Sequence, residues 1–190
     1  MKKFYVIGNN TSKSLSPIIF NYWFKKYNIR AKYGFVEIKK ANINKEIDKL
    51  LKNKDLFGLN ITIPFKQKIM KHVDVLNPHA AKINAVNCIK KSKRGVVGFN
   101  TDWSGYGKAL PKVNNLNTKK ILILGYGGAA KAIHYFFISK NVKNIDIANR
   151  SKKRIKFIKK IKYSKNYKGI NKQISSANII INTTPNNPLT

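Results

Sequence analysis

Acidic residues are scarce in this chain: seven Asp and Glu stand against 39 Lys and Arg in 190 residues, a formal net charge of +32. Neutralising phosphates needs an excess of this kind, so nucleic acid is the first partner to weigh. Modules that bind it concentrate their basic residues on one face or interleave them with stacking aromatics. Here lysine runs along the whole length, beside heavy use of Asn and Ile, and the charge reads as compositional drift. It bears on association and solubility rather than on fold. Nucleic acid is therefore not expected as a partner.

Cysteine is nearly absent too. Cys88 stands alone, which excludes an intramolecular disulfide and fits a reducing cytoplasm. No apolar run approaches the length that crosses a bilayer. The apolar stretch after Met1-Lys2-Lys3 is too short for a signal peptide and ends in Gly8-Asn9-Asn10, so a first strand is expected there. Internal repeats are missing, no metal site is expected, and His72, His79 and His134 have no context that assigns them a role. What the chain does have is a hydrophobic fraction of 43%, ample for a packed core. Its length allows one large domain or two small ones.

Strand and helix signals alternate. Strands are predicted at 3–8, 33–38 and 57–63, the last closed by Pro64. Helices are predicted at 17–27, with Ser16 at the N-cap and Pro17 at N1, and at 43–51 through Ile43, Ile47, Leu50 and Leu51. A short helix is expected over 65–73, then two strands at 85–90 and 96–99 around a turn at 92–95. Asp102 is expected to cap a helix running towards Leu110. The polar stretch 111–118 marks a boundary or hinge. Beyond it, 119–124, 144–148 and 179–182 read as strands, and 129–140 and 152–161 as helices. This alternation predicts an α/β fold, a parallel sheet with helices on both faces.

Two segments carry chemistry. Asn60-Ile61-Thr62-Ile63-Pro64-Phe65-Lys66 and Asn100-Thr101-Asp102 place a lysine after an apolar strand and a carboxylate at a helix start. Such a pair can handle a proton on a hydroxyl or carbonyl substrate. The neighbouring Asn and Thr suit a polyhydroxylated ligand. On these residues alone, a surface lysine and an N-cap aspartate are an equal reading.

A third segment, Gly125-Tyr126-Gly127-Gly128-Ala129, follows the apolar run 121–124 and opens a helix. Gly125 permits a tight turn and Gly127 lets backbone approach a pyrophosphate. Gly128 and Ala129 open the helix whose amides and dipole stabilise phosphate charge. At the end of the next strand an NAD enzyme usually carries an acid for the ribose 2′-hydroxyl. This chain has Asn149-Arg150-Ser151, then Lys152, Lys153 and Arg154, while Asp146 lies too early, inside the strand. A guanidinium binds a 2′-phosphate that a carboxylate would repel. The expected cofactor is NADP(H).

In order along the chain, Ser14-Leu15-Ser16-Pro17, Asn60 to Lys66, Ala85-Val86-Asn87, Asn100-Thr101-Asp102 with Gly105, the glycine turn, and Asn149-Arg150-Ser151 ending with Arg154 resemble shikimate dehydrogenase. The resemblance covers essentially the whole chain. It implies an N-terminal α/β substrate-binding catalytic domain over 1–103 and a partial Rossmann-type, parallel-sheet NADP-binding domain over 104–190. The implied reaction is reversible, NADPH-dependent reduction of 3-dehydroshikimate to shikimate, on the route to chorismate and the aromatic amino acids. Ser14 and Ser16 would hold the substrate carboxylate, and Thr62, Lys66, Asn87 and Asp102 would contact ring hydroxyls. Lys66 and Asp102 would be the catalytic pair. Gly125, Tyr126, Gly127, Gly128, Ala129, Asn149, Arg150, Ser151 and Arg154 would bind the cofactor. A homodimer is compatible with the resemblance.

The match has departures. Tyr126 replaces an alanine common in the family's turn; the backbone still supplies the amides, so tolerance is expected, although the ring could crowd the pyrophosphate. Ser151 stands for threonine, conservatively in hydrogen bonding. Family members are longer, and a glycine usual near Asn186-Asn187-Pro188 is missing, so the resemblance implies a chain truncated at its C-terminal end. Two other readings stand beside it. One is a quinate/shikimate dehydrogenase relative using NAD. The other is a non-catalytic basic binding protein on the same scaffold. If Arg150 reads the 2′-phosphate, Arg150→Asp will weaken NADPH far more than NADH in a binding titration; equal loss for both removes the assignment.

Overall fold

Alternation of side chains along the first strand sets the layers around it. The computed structural model describes residues 1–149, 162–163 and 169–184, and the chain divides into two units, Met1–Thr101 and Asp102–Thr190. In the first unit, strand β1 (Lys2–Gly8) is exposed at Lys2 and fully buried at its far end. Successive residues point to opposite faces. Phe4 meets the ring of Phe24 from helix α1 (Ser16–Lys26), while Ile7 joins a buried cluster with Ile43 and Ile47 of helix α2 (Ile43–Lys52). Both helices are crossovers, as parallel pairing demands. They link β1 to β2 (Ala31–Glu37) and β2 to β3 (Leu56–Ile61).

After β3 come a 3-10 turn at Lys68–His72, strand β4 (Val75–Leu76), helix α3 (Pro78–Ile83) and the hairpin of β5 (Cys88–Ser92) and β6 (Gly95–Phe99). The sheet order is β2-β1-β3-β5-β6-β4. This sheet is mixed: β1, β2 and β3 pair in parallel, as the alternation predicts, and the two strands expected around the turn at 92–95 form a hairpin. β5 runs antiparallel to β6 because the turn at 92–95 is too short for a crossover, and it runs antiparallel to β3 as well. Two elements of this unit had no expectation in the sequence, β4 and α3. The latter has a local signal: Asn77 accepts a hydrogen bond from the His79 amide at 3.0 Å, and Pro78 occupies the first turn. The helix expected over 65–73 is only the 3-10 turn.

The second unit opens with α4 (Asp102–Ala109) and a 3-10 turn at Leu116–Thr118. Strand β7 (Ile121–Leu124), helix α5 (Gly128–Ser139), strands β8 (Ile145–Asn149) and β9 (Lys162–Tyr163), helix α6 (Asn171–Ser176) and strand β10 (Ile179–Asn182) follow. This sheet, ordered β10-β7-β8-β9, is parallel throughout, as expected. β7 is buried at every residue because both of its faces are covered. Ile121 and Ile123 pack with Phe136 and Phe137 of α5; Leu122 and Leu124 pack with Ala148 and Ile170. The helix expected over 152–161 lies outside the described residues.

Two helix starts differ from expectation. Ser16 is the first helical residue and Leu15 the cap; it is Ser14 whose hydroxyl accepts from the Ser16 amide, at 3.2 Å. Asp102 is likewise the first residue of α4 rather than the one before it. Phe65, fully buried against the first core, anchors the loop that carries Lys66. Phe65→Ala should cost about 3–5 kcal/mol of stability, the range for emptying an aromatic core site, measured by urea denaturation.

Candidate functional site

In the first unit the chemistry-bearing residues gather at one edge of the sheet. β1, β3 and β6 all run towards that edge, and β5 starts from it, since Asn60 pairs with Cys88 and Cys88 with Phe99. In open α/β sheets ligands bind outside the carboxyl ends of strands. Thr62 continues β3 and donates its amide to Ile7 at 2.9 Å. Lys66, half-buried, lies four residues on, and its carbonyl accepts from the Val86 amide at 2.7 Å.

Asn87 ties this edge together. Its carbonyl accepts from the Ile61 amide at 2.8 Å and its amide donates to Phe99 at 3.0 Å. Its side-chain Oδ1 accepts from the Thr101 amide at 2.8 Å, and its Nδ2 donates to Thr101 Oγ1 at 2.9 Å. Asn100, buried, donates from Nδ2 to the Ala85 carbonyl at 3.0 Å. Segments around residues 62, 86 and 100 are thereby brought together. Asp102 is the next residue after Thr101 and belongs to the second unit.

The serine segment is held by β2. Thr11 donates from Oγ1 to the Val36 carbonyl at 3.1 Å, and Ser12 donates from its amide and hydroxyl to Glu37 at 2.9 and 2.7 Å. The Ser12 amide and hydroxyl hold the Glu37 carboxyl below its ordinary range. Tyr33, which no local signal singled out, is 3% exposed and donates its hydroxyl to Asn60 Oδ1 at 2.7 Å. Burial pushes its phenol well above the ordinary value. Burial also raises the Cys88 thiol.

The glycine turn of the second unit has two different glycines. Gly125, at φ +92°, donates its amide to Ala148 at 2.7 Å, and a Cβ there would stand 2.8 Å from Thr183 Oγ1. Thr183, another residue the sequence did not flag, donates from that oxygen to the Leu124 carbonyl at 2.6 Å. A Cβ on Gly127 would meet nothing within 4 Å, which suits a phosphate approaching backbone at the start of α5. Gly128 and Ala129 open that helix.

The Tyr126 ring turns into the core of the second unit. It is 9% exposed and packs within the cluster of Ile121, Ala130 and Phe137; burial pushes its phenol up to about 12. Asn149 ends β8 and is buried. Asp146 pairs with Lys120 at 3.5 Å. Arg150, Ser151 and Arg154 lie outside the described residues. His72 contacts Asp48 and Asn44 at 2.9 and 3.2 Å, and burial lowers the pKa of His134. Among the described residues no group of three His, Cys, Asp or Glu side chains could hold a metal ion.

Comparison with known proteins covers both units. The family model described as the shikimate dehydrogenase substrate binding domain matches residues 6–89, and that described as shikimate / quinate 5-dehydrogenase matches residues 108–189. A protein of Clostridium botulinum named shikimate dehydrogenase (NADP(+)) is 38% identical over 183 residues, which cover 95% of this chain and 70% of that one. Its namesake from Caldicellulosiruptor saccharolyticus is 37% identical over 163 residues, 85% of this chain but 58% of the relative. The chain thus spans less than two thirds of that relative's length. The crystal structure of shikimate dehydrogenase from Aquifex aeolicus superposes with a TM-score of 0.86 at 30% identity, covering 97% of this chain and 69% of that one.

The contrast between the two glycines is testable. Gly125→Ala should lower stability by about 1–3 kcal/mol, the cost of a side chain at positive φ, seen as a drop in Tm. Gly127→Ser, with a good capping residue in open space, should leave Tm within a degree or two of the unaltered chain, on the order of 0.5 kcal/mol. It should nonetheless weaken NADP⁺ binding in a fluorescence titration.

Proposed function

The chain belongs to the shikimate dehydrogenase family, and we propose that it interconverts 3-dehydroshikimate and shikimate with NADP(H). The observation that carries the reading is the convergence at one sheet edge. Asn87 and its partners hold the Thr62, Lys66 and Thr101 segments together where strands end. That edge offers neutral hydrogen-bonding groups and one ammonium, the set a polyhydroxylated carbonyl compound needs.

Ser14 and Ser16, at the start of α1, would bind the substrate carboxylate, helped by the amide dipoles of the helix. Thr62, Asn87 and Asp102 would orient the ring hydroxyls. Bound NADPH would supply the hydride to the carbonyl carbon. Negative charge then builds on the carbonyl oxygen, and the Lys66 ammonium stabilises it and delivers the proton. In the other direction the neutral Lys66 amine takes the hydroxyl proton. Met1–Thr101 would be the substrate-binding catalytic part and Asp102–Thr190 the NADP-binding part. The fit of the second unit to the cofactor is supported by the open space at Gly127 and the α5 amides behind it. A reducing cytoplasm, consistent with the single cysteine, is the proposed location.

The test is shikimate-dependent reduction of NADP⁺ by this chain, followed at the nicotinamide absorbance. Lys66→Ala should lower turnover by a factor on the order of 10²–10⁴. Turnover close to the unaltered chain would take lysine out of the mechanism. Absence of both turnover and shikimate binding in the unaltered chain would overturn the reading.

A further inference from the structure

Glycine weakens a helix interior, yet α4 carries two, Gly105 and Gly107. Packing accounts for the second. Trp103 and Tyr106 lie one turn apart on one face of α4, and Gly107, four residues after Trp103, falls on the same face. That face is seated on α5. Trp103 meets Tyr135 edge-on with centroids 5.5 Å apart, and Tyr106 meets Phe136 and Phe137 at 5.4 and 5.8 Å. A Cβ on Gly107 would overlap Phe136 Cε2 and stand 2.8 Å from Cδ2. Phe136 therefore fills the notch that the missing side chain leaves. Its ring is buried and also held against Phe137 at 5.3 Å, so it has no room to turn aside. A side chain at position 107 has to push the two helices apart.

We propose that Gly107 is a positioning residue for Asp102: by letting α4 seat against Phe136, it fixes the Asp102 carboxylate relative to the glycine turn that receives the cofactor. The inference rests on the reading of Asp102 as a group that touches the substrate. Asp102 opens α4, one residue before Trp103 and five before Gly107. A helix of about two turns moves as one piece, so any shift at Gly107 is carried to the carboxylate. Gly127 caps α5 and Gly128 is its first residue. Through the Phe136 contact, Asp102 and the turn therefore belong to one rigid pair of helices. Relieving a Cβ at position 107 takes a separation of about 1 Å, and a misplacement of that size can slow a reaction by roughly 10²-fold.

Shikimate-dependent turnover and NADP⁺ affinity are measured on the unaltered chain, Gly107→Ala, Asp102→Asn and the two changes combined. Gly107→Ala should lower kcat by a factor of roughly 10 to 10². Its NADP⁺ affinity should stay unchanged, because the glycine turn and α5 keep their places. Since Gly107 acts through Asp102, the combined variant should be no slower than Asp102→Asn alone. A purely structural role predicts a further loss in the combined variant, and that result would overturn the proposal. So would unchanged kcat in Gly107→Ala, or a fall in NADP⁺ affinity that matches the fall in kcat. Should Gly107→Ala not fold, Phe136→Leu, which empties the notch instead of filling it, carries the same test. It should slow the chain that has Asp102 and not the one with Asp102→Asn; equal slowing of both is the overturning result. Neither turnover nor shikimate binding in the unaltered chain, or full turnover in Asp102→Asn, would instead count against the proposed function, and this inference would fall with it.

Discussion

One buried amide organises the first unit. Asn87, 9% exposed, joins β3 and β6 through its backbone and holds Thr101 through its side chain. A buried polar group left without partners is costly, so the segments on either side must stay in register with it. If the Asn87 amide let go of Thr101, the chain leaving β6 would lose its anchor and the Lys66 loop would face a looser neighbour. The hydrogen bond from Val86 to the Lys66 carbonyl extends the same constraint by one step. Positioning at this edge is therefore backbone work, steadied by a few buried side-chain amides.

The two units reach stability by different means. The first uses a mixed sheet with an aliphatic cluster on one face and a stack of Phe4, Phe20, Phe24 and Tyr33 on the other. The second has a short parallel sheet whose central strand is buried throughout, and its glycine turn rests on Thr183. Lys3 with Asp55 at 2.9 Å and Lys120 with Asp146 at 3.5 Å are exposed or half-exposed pairs, a class worth little on average. With a net charge of +32, self-repulsion opposes the compact state and salt should relieve it.

Tyr126 and Tyr33 show how local sequence misleads in both directions. Within the glycine motif, Tyr126 reads as a tolerated replacement whose ring could crowd the cofactor, and that ring packs among Ile121, Ala130 and Phe137. Tyr33 reads as one more apolar residue of a strand, yet its hydroxyl is tied to the chemistry-bearing segment that starts at Asn60. Neither outcome is encoded within a few residues of the side chain concerned. The helix starts at Ser16 and Asp102 were read one residue out, as is common where capping and the first turn compete.

What the sequence by itself determined is whatever depends on spacing along the chain. The apolar pattern set the strands and helices, most cleanly as continuous runs in β7 and β10 and as a helical period in α2, because such patterns are local. The run of glycines after β7 marked the turn, and the order of short motifs pointed to the family. Only the tertiary structure decided that the first sheet turns antiparallel after β3, that Thr183 supports Gly125, and that Asn87 grips Thr101 from fourteen residues away. Those are contacts between distant residues, and a hydrogen bond or a close approach leaves no periodic trace in either partner's neighbourhood.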